Sequence, residues 1–113
     1  MLRNERDYIL RMVAAAAAAL GRLRQRIAAG APAAEIVQAA RDAQGELLGK
    51  DVALLRAVDP ASAAQMLGDD QRLTVWVDLL RVEADALREA GRAAEANAIA
   101  QQADHLLKRR QRA

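Results

Sequence analysis

Apolar residues recur at Ile9, Val13, Ala16, Leu20, Leu23 and Ile27, alternately four and three positions apart, with Leu2 one heptad before Ile9. That spacing returns to one side of a 3.6-residue helix and makes an a/d seam of the kind that two helices share. It predicts a first helix to about Ala29, with Asn4 as N-cap and Glu5 and Asp7 in the first turn, where carboxylates suit exposed N–H groups. Leu10, Met12, Ala17 and Ala19 broaden the seam, so more than one neighbour is expected to pack on it. The run Ala14 to Ala19 has the highest helix propensity but buries only a methyl per residue, so its value lies in letting another backbone come close.

Gly30-Ala31-Pro32 ends that helix and starts the next, with glycine suited to a C-cap and proline to a first turn. The second helix, about 33–48, carries Ile36, Ala40, Ala43 and Leu47 on one stripe, and Glu35, Gln38, Arg41 and Asp42 are expected to look outward. Asp51 is a candidate cap for a short helix bearing Val52, Leu54, Leu55 and Val58. Asp59-Pro60 repeats the cap-then-proline signal for another, stopped by Gly68. Asp69 or Asp70 then caps a long helix of about 71–90, apolar around more than half its girth and therefore central, with Trp76 on it. After Gly91 a last helix folds back antiparallel, burying Ala96, Ile99, Ala100, Ala103, Leu106 and Leu107. Lys108, Arg109, Arg110 and Arg112 follow as a basic tail that complements the helix dipole.

The expected fold is all-α: a compact bundle of about four main helices plus short ones, one domain over 1–107 and the tail over 108–113. Composition supports this, because 113 residues suit a single domain. Trp76 and Tyr8 are the only aromatics and phenylalanine is absent, so the core must come from aliphatic residues and alanine. Arg3, Arg6 and Arg11 before the run Met12 to Leu20 look superficially like a targeting signal. Glu5 and Asp7, the weak hydrophobicity of alanine and the continuation of the pattern through Leu23 and Ile27 argue against one. Nine apolar residues fall short of the ~20 needed to span a bilayer, so no membrane span and a cytoplasmic location are expected.

The stretch from Leu73 to Leu107 resembles a tetratricopeptide-repeat helical hairpin. Ala84, Leu87, Gly91, Ala96, Ala100 and Ala103 fall at the spacing of the small residues that let two such helices cross closely. The family's usual tryptophan position holds Leu80 and a leucine position holds Glu83. A peptide groove in that family needs several stacked units and a single copy is visible, so the resemblance implies a hairpin over about 77–107 and not peptide binding. The opening RDYILRM is similar to the start of small bacterial all-helical proteins.

Chemistry is sparse. With no cysteine, one histidine, one serine and one threonine, disulfides, thiolate metal sites and cysteine nucleophiles are excluded, and nothing in the sequence brings Ser62, Thr74 and His105 together. Gln102 stands where a Glu-x-x-His di-iron motif would need glutamate, and Gly45-Glu-Leu-Leu-Gly49-Lys50 lacks the preceding strand and spacing of a phosphate loop. No catalytic, cofactor or metal site is expected, and the protein is read as no enzyme. Glu83 interrupts the apolar faces of the long helix. If buried it needs an arginine or another hydrogen-bonding partner and would mark a site; the preferred expectation is a narrow polar strip with Arg72 and Asp85, or a pair with another helix.

Charge is uneven. Residues 1–30 carry six basic and two acidic side chains, 31–107 seven and thirteen, and 108–113 four and none. Basic ends flanking an acidic middle suit self-association or an anionic partner. The expected function is a non-enzymatic structural or protein-interaction module. It would associate with itself, most simply as a homodimer, or with another protein through Ile9, Val13, Ala16, Leu20, Leu23 and Trp76. The alternative is nucleic-acid binding through Arg22, Arg26, Lys108, Arg109, Arg110 and Arg112. Against it stand the acidic middle and the lack of aromatic platforms for stacking bases.

Overall fold

The computed structural model describes residues 2–112, with side chains described for 6–110. Six helices follow the apolar periodicity: α1 (Leu2–Ala28), α2 (Ala33–Leu48), α3 (Val52–Ala57), α4 (Pro60–Leu67), α5 (Asp70–Glu89) and α6 (Ala93–Arg112), with a 3-10 turn at Gly49–Asp51 before α3. No strand occurs among the described residues. The Cα radius of gyration is 13.9 Å, close to the ~13 Å of one compact domain of this length.

The two turns between long antiparallel neighbours are built alike. After α1 the Ala31 N–H donates to the Arg26 carbonyl and the Gly30 N–H to that of Ile27; after α5 the Arg92 N–H donates to Leu87 and the Gly91 N–H to Arg88. Both are Schellman closures, which require a left-handed residue past the cap, and Gly30 (φ 84°) and Gly91 (φ 80°) supply it without a Cβ clash. At their N-termini α4 and α5 are capped as the sequence predicts, Asp59 accepting from the Ser62 N–H at 3.0 Å and Asp69 from the Arg72 N–H at 2.8 Å.

Three local expectations are corrected. Asn4 lies inside α1, which starts at Leu2, and Asp51 makes no side-chain cap bond because the chain enters α3 directly from the 3-10 turn. There is no break at Leu107: α6 runs on through Lys108, Arg109 and Arg110 to Arg112.

α5 is the shared partner of the bundle and packs against α1, α2, α4 and α6, most extensively against α6. Arg81 reaches Asp104, Arg88 reaches Asn97 and Arg110 reaches Thr74, so each step toward the start of α5 meets a step toward the end of α6, and the hairpin is antiparallel. Ala84, Leu87, Ala96 and Ala103 are buried along this crossing. α2 is antiparallel to α5 on another side, with Gln44 opposite Trp76 and Arg41 opposite Glu83. α1 lies across α2 and α5 and buries Ala16, Leu20 and Leu23 there. Within the alanine run Ala16 is wholly buried, whereas Ala14, Ala15, Ala17 and Ala18 are exposed.

Candidate functional site

Among the described residues the one buried charge is Glu83, and its side chain has no solvent exposure. The structure overturns the expectation of a polar strip with Arg72 and Asp85: Arg72 Nε donates to the Leu47 carbonyl at 3.1 Å, and Asp85 lies 3.6 Å from Arg88 on the surface. Glu83 instead pairs with other helices. Arg56 of α3 closes on it bidentately, Nη1 to Oε1 at 2.8 Å and Nη2 to Oε2 at 2.9 Å. From α2, Arg41 Nε donates to Oε2 at 3.0 Å and Gln44 Nε2 to Oε1 at 2.7 Å. Gln44 Oε1 in turn accepts from Arg56 Nη1 and, at 3.2 Å, from the indole N–H of Trp76. A carboxylate out of water survives only with such compensation, and among the described residues no buried side-chain polar atom is left without a partner. Burial pushes the Glu83 carboxyl up, but hydrogen bonds from Arg56 and Gln44, the charge of Arg56 and the Arg41 bond outweigh it, so the group is held below the ordinary carboxylate range.

The network reaches the surface. Arg41, expected to look outward, spans from Glu83 to Glu95 of α6, 3.9 Å from its Nη2, and Arg92 grips Glu95 through two bonds of 2.8 Å. The alternating series Arg56, Glu83, Arg41, Glu95 and Arg92 thus ties together α3, α5, α2 and the entrance to α6. Arg41 and Arg56 also edge a shallow groove with Val52, Ala53 and Ala57. Sequence reasoning singled out Glu83 and allowed for an arginine partner or a pair with another helix, but it placed Arg41 outward and named neither Arg56 nor Gln44. The available signals were Gln44, four residues after Ala40 on the apolar stripe of α2, and the buried indole of Trp76, whose N–H needs an acceptor.

The other polar candidates have structural partners. Ser62 Oγ donates to Asp59 at 2.7 Å inside the α4 cap, and Thr74 Oγ1 donates to the Asp70 carbonyl and accepts from Arg110. His105 is exposed on α6 and shares a shallow groove with Asp59, Lys108 and Arg109, so the fold does bring it toward the α4 cap. Among the described residues no three His, Asp or Glu side chains are placed to hold a metal ion. No described helix is long and apolar enough to cross a membrane.

Of the residues expected at a protein interface, Ala16, Leu20, Leu23 and Trp76 are covered by the chain's own helices, with Trp76 0% exposed, and cannot meet a partner without unfolding. They are the innermost residues of seams that α1, α2 and α5 share. Ile9 and Val13 are half-buried, and next to them Tyr8 (62% exposed), Leu10 (46%) and, farther along, Ile27 (47%) face solvent. The basic residues separate into two regions. Arg22 and Arg26 line a groove between α1 and α2 beside Asp42 and Glu46, and Arg26 also pairs with Glu35 at 3.2 Å; Lys108, Arg109 and Arg110 lie at the far end of α6. The Arg112 side chain lies outside the described ones.

The molecule is thus an all-α helical bundle whose central helix α5 is tied to α2 and α3 by a buried ion network. Comparison with known protein families, with characterised proteins and with solved structures finds no match to this chain.

Proposed function

We propose that this chain is a non-enzymatic structural module that works by protein association, with itself or with another protein, through the uncovered flank of α1. What carries the reading is Leu10 and Ile27, two large aliphatic residues about half exposed on one helix, with Ile9 and Val13 half-covered on the same side. Single exposed apolar residues are ordinary, but a row of them along one helix edge is what an interface uses. The buried polar cluster supports the same reading, because its hydrogen bonds are spent within the fold.

The nucleic-acid alternative has less behind it, since its arginines divide between two regions and those on α1 sit beside carboxylates. Sedimentation of the intact chain against a Leu10→Glu/Ile27→Glu variant tests the proposal. Association that weakens in the variant while its helical signal is kept is expected. A parent chain monomeric at high micromolar concentration excludes self-association, and self-association indifferent to the two substitutions overturns the assigned surface.

A further inference from the structure

The trough between α1 and α5 carries opposite charges on its two walls. On α1 the residues Arg6, Leu10, Val13, Ala17, Leu20, Arg24 and Ile27 follow one another at alternating steps of four and three, a second seam rotated away from the one that faces the core. On α5 the row Gln71, Val75, Asp78, Val82, Asp85 and Glu89 has the same period. Val13 and Val75 line a cavity at one end of the trough, and Ile27, Val82, Asp85, Ala86 and Glu89 line a larger one at the other. The two helices are therefore parallel neighbours with an apolar floor between them, Leu10 and Ala17 uncovered on one side and Val75 and Val82 half-covered on the other. The exposed charges on the α1 wall are Arg6 and Arg24; those on the α5 wall are Asp85 and Glu89, with half-buried Asp78, and Arg88, 3.6 Å from Asp85, lines the same end.

We propose that the occupant of this trough is a second copy of the chain, related by a two-fold axis parallel to α1 and α5. The inference rests on the association reading above and names its partner and geometry. Rotation about such an axis lays α1 of each copy over α5 of the other, so Arg24 of each copy comes to the level of Asp85 in the other, and the patch is self-complementary as a two-fold interface must be. The register fits. Counting from the level where Val13 meets Val75, Arg24 lies about 16 Å along α1 and Asp85 about 15 Å along α5. A standard interface buries about 800 Å² per partner, and the molecule, 44 Å by 26 Å by 24 Å, has room for that along its length.

Charge reversal tests the arrangement through exposed residues only. In the Arg6→Glu/Arg24→Glu variant both contacts become acid against acid; in the Asp85→Arg/Glu89→Arg variant both become base against base. Each alone is expected to dimerise at least about tenfold more weakly than the parent chain by sedimentation equilibrium, with helical content unchanged, and an equimolar mixture is expected to recover the dimer, because the heterodimer restores both contacts. A dimer in either variant alone at the parent's concentration, or a mixture that stays monomeric, overturns this arrangement while leaving association through Leu10 and Ile27 standing. A parent chain that is itself monomeric overturns both the arrangement and self-association.

Discussion

Arg56 and Glu83, 27 residues apart in the chain, meet through two near-parallel hydrogen bonds of 2.8 and 2.9 Å, and the carboxylate that receives them has no access to water. Removing one member of such a buried pair leaves the other charged and uncompensated, which costs about 3–5 kcal/mol. Glu83→Ala is therefore expected to lower the urea-unfolding free energy by an amount in that range, since it strands Arg56 and leaves Arg41 only its longer contact with Glu95. The Glu83→Ala/Arg56→Ala double variant is expected to lose less than the sum of the two single losses, because the residues share one network. Additive losses would show that the pair is not coupled.

The same carboxylate makes stability depend on acid. Its pKa in the folded chain is held below the ordinary value by Arg56, Gln44 and Arg41 despite burial. The unfolded chain then takes up a proton first as the pH falls, so the contribution is whole near neutrality and is lost as the pH drops below about 4. Comparison of the parent chain with Glu83→Gln from pH 7 to pH 3 is expected to show a stability gap that narrows toward acid. A gap constant with pH would mean that Glu83 titrates alike in both states.

Much of this fold is legible in the sequence, because its helices are set by local rules. α2 spans 33–48, and Asp59-Pro60, Gly68 and Asp69 mark the short α4 and the start of α5, since caps and prolines act within four residues. Glu83, Arg41 and Gln44 were harder, because whether a polar residue on a helix is solvated or buried depends on what other helices bring to it. Arg41 and Glu83 are 42 residues apart, and no periodicity encodes that meeting. The seam of α1 reads correctly as a packing face, but its count of neighbours does not fix which residues the chain covers for itself.

Capping gives a matched comparison. Asp59→Ala and Asp69→Ala each remove a carboxylate that accepts a helix N–H, and each is expected to destabilise, Asp69→Ala by about 1 kcal/mol. Asp51→Ala, at a position without a side-chain cap bond, is expected to change stability by less than about 0.5 kcal/mol. Thermal unfolding of the three variants orders them, and equal losses would remove the caps from the account.

Within the alanine run, position decides the outcome. Ala16 is wholly buried where α1 crosses its neighbours, so Ala16→Leu is expected to destabilise by about 1–3 kcal/mol through overpacking. Ala18 is exposed on the same helix, and Ala18→Leu is expected to stay within about 0.5 kcal/mol of the parent. Equal tolerance of leucine at both sites would contradict the placement of α1.

The alternating series from Arg56 to Arg92 fastens α2, α3, α5 and α6 to one another and stops short of α1, whose ion pair between Arg26 and Glu35 of α2 is exposed. Among the described residues α1 is held mainly by aliphatic side chains such as Leu20 and Leu23, and such contacts open at lower free energy than a hydrogen-bonded core. In native-state hydrogen exchange the amides of α1 are expected to exchange as a group ahead of those of α5, through an opening that leaves the other helices closed. That opening uncovers Leu20 and Leu23, so α1 would be the first element to change hands in a domain-swapped species.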